Sequence, residues 1–212
     1  KKIPIGIIPG GSGNSFLYNL YQNPKTALKE ILKFKKRYID VIEVKTKQER
    51  LYSINLVGWG LITDVGKNAE KYRWLGTSRY TLVSLIEIIK NKTRKAKLII
   101  NKKEHNSAFT FIIACNTKHV GKGMYMAPKA NVGDGLLDLV VVKGNLSRML
   151  LFKTLPKLFK GTHISDPNVS YHQVSNFSLI TKECDLLNID GELKGETPID
   201  VKVIPSAIEV FN

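Results

Sequence analysis

Lys2 to Ser15 reads K-I-P-I-G-I-I-P-G-G-S-G-N-S, and the fold follows from how this stretch is parsed. Alternating apolar positions from Ile3 to Ile8 predict a buried strand, Pro9 stops it, and Gly10, Gly11 and Gly13 precede a helical pattern starting at Ser15. A strand, a glycine turn and a helix start are the parts of an α/β unit. Glycine lets a ligand approach bare amides, and a helix N-terminus adds aligned N–H groups, so the turn suits a phosphate. It has neither the Lys-Ser/Thr of a P-loop nor a full dinucleotide fingerprint, and a plain strand-to-helix turn explains the same residues equally well.

Outward from this stretch, Phe16 to Tyr21 and Pro24 to Lys36 read as helices, the second with an apolar stripe at Ala27, Leu28, Ile31 and Leu32. From Tyr38 the grammar changes. Y-I-D-V-I-E-V and L-Y-S-I-N-L-V-G predict an antiparallel hairpin turning around Lys47 to Arg50, and helices follow at Asp64 to Tyr72 and Arg79 to Ile89. Strands are expected at 96–100, 109–115, 136–142, 177–180, 186–189, 199–204 and 207–211, with one helix at 147–159 between them. The expected class is therefore α+β: an antiparallel β-sandwich with a few helices, preceded by the last strand and helices of an α/β nucleotide domain. The boundary falls near Arg37, giving segments 1–37 and 38–212. A lone strand with two helices leaves both strand edges unpaired, so the first segment is expected to be the tail of a domain whose earlier part is absent.

The 212 residues are 43% hydrophobic, enough for an ordinary core, which excludes a disordered chain. No apolar run approaches the ~20 residues of a membrane span, and the N-terminus lacks the pattern of a secretory signal, so a cytoplasmic protein is expected. Cys115 and Cys184 are read as buried reduced thiols rather than a bridge or a metal site, and the four histidines show no ligand spacing. With 33 Lys and Arg against 18 Asp and Glu the net charge is +15, crowded at Lys90 to Lys97 and Lys102–Lys103. That balance points to an anionic membrane surface and peripheral association, or to solvated lysine-rich faces. Nucleic acid is not expected, because aromatics are few and none interleaves with the basic runs.

Four stretches carry candidate chemistry. In Ile54 to Tyr80, Gly58 and Gly60 flank Trp59 where a strand cannot stay regular, and a helix capped by Asp64 follows. Arg73 and Arg79 on one unbroken helix would sit about 120° apart, but a stop at Gly76 lets both guanidiniums turn to one point and clamp a phosphate. N-I-D-G-E-L, Asn188 to Leu193, reads as a hairpin turn unless Glu192 is held against a ligand. In Ala130 to Val142, Asp134 and Asp138 flank a glycine turn that turn formation explains as well as a metal does.

Taken together, P-G-G-S-G-N, then G-W-G with E-K-Y-R-W-L-G-x-x-R, M-A-P, G-D-G-L-L-D-L, K-G-T-H and D-G-E resemble, in that order, the lipid kinases of the diacylglycerol kinase catalytic family. The sphingosine and ceramide kinase branch is the nearest. The resemblance covers nearly the whole chain. It implies ATP and Mg2+ as cofactors, with the nucleotide between an α/β domain and a β-sandwich that holds the lipid. By that resemblance Gly11, Ser12, Gly13 and Asn14 line the nucleotide, Arg73 and Arg79 hold its phosphates, and Gly191 and Glu192 close the ribose and phosphate side. Leu61, Ile62, Val65, Gly66, Met124 and His163 fall where the lipid pocket is expected, and Asp134 where some relatives bind a divalent ion. Two departures stand out: sphingosine kinases carry an acidic residue at the position of Gly66, and the G-G-D-G loop that supplies the family's general base is nowhere in this sequence. No catalytic residue is therefore assigned, and this chain alone is expected to be inactive without the missing N-terminal nucleotide domain. The competing expectations are a non-catalytic module binding lipid or an anionic membrane, and a charge-driven nucleic-acid domain.

Overall fold

A computed structural model describes residues 3–10, 14–21, 23–76, 78–90, 92–121, 123–144 and 146–212, with the backbone but not the side chain of Arg73. Among these residues, α1 (Ala27–Ile31), α2 (Leu61–Ala69), α3 (Ser78–Lys90) and α4 (Arg148–Lys160) accompany eleven strands. The strands are β1 (Lys36–Lys45), β2 (Arg50–Ser53), β3 (Leu56–Gly60), β4 (Arg94–Ile100), β5 (Lys103–Cys115) and β6 (Leu137–Lys143), then β7 (Val169–Val174), β8 (Asn176–Thr181), β9 (Leu186–Ile189), β10 (Glu192–Glu196) and β11 (Ile199–Phe211). They join in the order β10-β9-β3-β5-β4-β8-β11-β1-β2, and β6 and β7 branch from β5. Every strand pairing is antiparallel.

Period-two patterning explains the sandwich. One face of β1, β3, β4, β5, β6, β8, β9 and β11 turns residues such as Ile42, Trp59, Leu98, Ile112, Leu139 and Val201 into a single core. On β5 the register against β6 shifts between Phe109 and Phe111, which puts Phe109 in that core and Phe111 and Ile113 on the opposite face. There a second cluster forms under α2, α3 and α4, with Leu61, Ile88 and Leu151 against Val140 and Val142. A third cluster packs Phe16, Leu17, Leu20 and Tyr21 on Ile39, Val132 and Val210.

Several local expectations change. Ile3 to Ile8 is not a buried strand: among the described residues it makes one parallel bridge, Ile5 to Val210, and Ile3 is 83% exposed. Phe16–Asn19 is a 3-10 turn, and the second predicted helix is a 3-10 turn, Pro24–Thr26, running into the short α1. The strand expected from Leu51 to Gly58 is two, and β3 pairs with β5 and β9 rather than continuing the β1–β2 hairpin. Helix α2 starts at Leu61 with Gly60 as its cap residue, so Asp64 sits inside the first turn and instead takes a bidentate bond from Arg94, both contacts at 2.9 Å. Cys115 is buried as expected, but Cys184 is exposed.

Candidate functional site

Between the outer face of β5–β6 and helices α2, α3 and α4 lies a cavity of about 720 Å³. Leu61, Ile62 and Val65 come from α2, Tyr80, Ser84 and Ile88 from α3, and Leu151, Leu155 and Leu158 from α4, each helix turning one apolar stripe inward. Two glycines make this packing possible. A Cβ at Gly58 would lie 2.7 Å from Ile62 Cγ2, and one at Gly60, whose φ is +84, would lie 2.6 Å from the Thr110 carbonyl oxygen. The G-W-G motif thus lets β3 end against β5 and launch α2 directly over the cavity.

All six residues expected at a lipid pocket, Leu61, Ile62, Val65, Gly66, Met124 and His163, border this one cavity. His163 is buried, with Nε2 2.9 Å from the Met126 carbonyl, and desolvation lowers its pKa, which keeps the ring neutral beside the apolar walls. Arg79, Gly191 and Glu192 border the same cavity, as do Gly76 and Ser15. Residues from the start, the first third and the end of the chain therefore meet around a single space.

Local geometry explains how. The chain breaks at Gly76, with φ +57, and Tyr72 interrupts the turn Glu70–Leu75, so α3 begins anew at Ser78. The Arg79 guanidinium donates to Tyr80 Oη at 3.0 Å and lies 3.5 Å from Glu70, while its Nε is buried without a partner among the described residues. An anion beside Arg79 fits that unpaired donor. In the D-G-E turn Asp190 and Gly191 have φ of 53 and 94, the two left-handed residues of a tight hairpin between β9 and β10. The Glu192 side chain is exposed and pairs with Lys194 at 3.0 Å.

Three of the expected nucleotide residues, Gly11, Ser12 and Gly13, lie outside the described residues, as does the Arg73 side chain. Asn14 accepts the Leu17 N–H through its carbonyl, opening the 3-10 turn, and the neighbouring Ser15 hydroxyl donates to the Gly121 carbonyl. Asp134 is away from the cavity. Its Oδ1 accepts the Leu136 N–H, Asp40 is spent on the Gly135 and Ser206 amides, and no group of three or more metal-binding side chains occurs among the described residues. Asp134 alone offers a single carboxylate, so an ion there needs backbone carbonyls and water to complete its shell.

Sequence reasoning missed the anchor of the D-G-E turn. The Asp190 carboxylate accepts from Ser53 Oγ and from the amides of Ile54, Asn55 and Leu56, all at 2.7–3.0 Å, which ties the turn to the β2–β3 connection. It also missed Asn188, whose amide borders the cavity next to Gly66. The Asp-Gly pair signals the hairpin, but nothing local signals what its carboxylate reaches.

Residues 55–212 match the family model described as the YegS C-terminal NAD kinase beta sandwich-like domain, and residues 1–44 match the diacylglycerol kinase catalytic domain. The chain belongs to the YegS C-terminal β-sandwich family. The second match, over the first 44 residues, is to the family that its motifs resemble. Sphingosine kinase 1 of Arabidopsis thaliana is 25% identical over 84% of this chain and 46% of its own length. A diacylglycerol kinase of Mycobacterium tuberculosis is 28% identical over 99% of this chain and 69% of its own. The chain thus spans about half of the plant enzyme and about two thirds of the mycobacterial one. A crystal structure of a Bacillus anthracis protein shares the fold with a TM-score of 0.76 at 22% identity, covering 96% of this chain and 66% of that one. Another, of a diacylglycerol kinase from the same organism, gives 0.66 at 17% identity, covering 96% and 65%.

Proposed function

We propose that this YegS-type chain is the lipid-holding part of an ATP-dependent lipid kinase, acting on the primary hydroxyl of a sphingoid base, a ceramide or a diacylglycerol. The observation that carries the reading is the 720 Å³ apolar cavity with Arg79 and the D-G-E turn on its border. Burying each lipid methylene there is worth roughly 0.8 kcal/mol. With MgATP bound, the chemistry supplied is in-line transfer of the γ-phosphoryl group, in which positioning and charge neutralisation dominate. Arg79 holds phosphate oxygens, the D-G-E turn closes over the nucleotide, and the three helices exclude water from the lipid. No residue of these 212 is assigned as the general base, since G-G-D-G is absent from them. Segment 1–37 belongs by this reading to the nucleotide domain and segment 38–212 to the lipid domain. Peripheral docking on an anionic membrane completes the picture: Leu82, Ile89, Met149 and Phe159, on the helices that wall the cavity, are exposed among lysines. No described helix is long and apolar enough to cross a membrane.

The test is phosphorylation of a panel of sphingoid bases, ceramides and diacylglycerols by the complete product of the reading frame. One lipid class is phosphorylated, and Arg79→Ala lowers turnover by roughly three orders of magnitude, as for other phosphate-neutralising arginines. Near-normal turnover in that variant removes the clamp. The missing G-G-D-G favours a second reading, a non-catalytic lipid-binding module, which stands if the complete product binds lipid and phosphorylates none of the panel.

A further inference from the structure

Asn188 places an amide on the cavity border beside the D-G-E turn. Asn188, 7% exposed, accepts the Gly191 N–H on Oδ1 at 2.9 Å, which fixes the orientation of its side chain and turns Nδ2 away from the hairpin. Nδ2 lies against Gly66: a Cβ added there would be 2.7 Å away, so the amide occupies the room that a side chain at 66 would need. Both residues border the cavity, and no hydrogen bond joins Nδ2 to a described residue. A donor with two N–H groups therefore faces the cavity beside the D-G-E turn.

The carboxylates bordering the same space are committed elsewhere. Asp190 serves the β2–β3 connection, Asp166 accepts from Asn168 and from Lys157 Nζ at 3.1 Å, and Glu192 projects outward to Lys194. An ammonium group entering beside Asn188 meets an N–H donor, and beyond the committed carboxylates the described border offers only neutral oxygens such as those of Tyr80, Ser84 and Thr154. It loses its water without gaining a free carboxylate, whereas a carbonyl oxygen satisfies the amide.

We infer that Asn188 reads the lipid head group, admitting an uncharged lipid that carries a carbonyl oxygen beside its primary hydroxyl and rejecting a free long-chain amine. The inference rests on the lipid-kinase reading above and narrows its substrate class to acylglycerols and N-acylated long-chain bases. Asn188 acts on specificity, through one hydrogen bond made near the D-G-E turn.

The test is equilibrium binding of dioctanoylglycerol, a short-chain ceramide and sphingosine to the protein in mixed detergent micelles at neutral pH. The native protein binds one or both carbonyl lipids at least about tenfold more tightly than sphingosine, the discrimination expected when a mismatched ligand leaves buried polar groups unpaired. Asn188→Asp keeps an acceptor for the Gly191 N–H and replaces the donor with a carboxylate, so the ratio shifts toward sphingosine by about tenfold or more. Should that variant melt early, Asn188→Ala removes the donor and weakens the carbonyl lipids while sparing sphingosine. An unchanged ratio in both variants, or a native preference for sphingosine, overturns the role of Asn188 while leaving the lipid cavity intact. Leu155→Trp, which fills the cavity from α4, separates the two failures: lipid binding that ignores it, or no lipid binding at all, overturns the lipid reading and this inference with it.

Discussion

Asp138, in the G-D-G-L-L-D-L motif, is 1% exposed on β6. Its Oδ1 accepts from Tyr171 Oη at 2.5 Å and Gln173 Nε2 at 3.3 Å, and its Oδ2 is buried with no partner among the described residues. Burial is the main cause that pushes this carboxyl up to about 6, against the lowering effect of the Tyr171 hydroxyl and with a further push from Asp134. Because the folded value lies above the unfolded one, the native state binds more protons between about pH 4 and pH 6. Stability from this group is fully present below that window and is lost as pH rises through it. Asp138→Asn keeps an acceptor for Tyr171 and never ionises, so its stability relative to the native protein rises between pH 4 and pH 7 by up to about 3 kcal/mol. Urea denaturation of both proteins across that range measures it, and a difference that does not move with pH rules the account out. Residue identity alone leaves Asp138 ambiguous between turn and metal ligand; its burial under β5 and β7 is what decides its chemistry.

At the scale of elements, the β9–β10 hairpin stands where Asp190 holds it. Removing that carboxylate strands the amides of Ile54, Asn55 and Leu56 together with the Ser53 hydroxyl. Asp190→Ala is expected to cost about 3 kcal/mol, since bonds to a charged acceptor are the stronger kind, and Asp190→Asn about half as much. Chemical denaturation with an unchanged m value checks this, and equal losses in the two variants count against the acceptor role. The elements themselves were largely legible from periodicity: α3, α4, β8 and β9 fall within a few residues of their expected bounds. β7, V-S-Y-H-Q-V, was not, because among the described residues it pairs with β6 alone and buries little beyond its two terminal valines. β11 reads as two strands around Pro205, yet it continues as one. Ser206, with φ of 50, forms a bulge whose N–H bonds to Asp40 Oδ1, opposite the register shift in β1.

For the whole molecule, the charge of +15 sets the strongest long-range behaviour. Each basic residue near an anionic surface contributes roughly 1 kcal/mol, screened over about a Debye length. Sedimentation with phosphatidylserine-containing vesicles should carry the protein down at low salt and fall at least about tenfold by a few hundred millimolar salt. Duplex DNA should compete poorly in the same buffer; DNA binding as tight as vesicle binding would restore the nucleic-acid alternative. The sequence by itself determined the α+β class and most of the strands and helices, because these are written in short-range periodicity, and its motif order carries the resemblance to the lipid kinases. The motif resemblance already implied that Arg79 and the D-G-E turn meet around one ligand; tertiary structure alone decided that they border the same cavity as the lipid-pocket residues, that Asp64 pairs with Arg94, and that Asn188 stands where Gly66 leaves room. Those outcomes depend on which distant strands become neighbours, as when Val57 on β3 pairs with Ile189 on β9, and a pairing so far apart in the chain is set by the curl of the sheet around its core rather than by any local pattern.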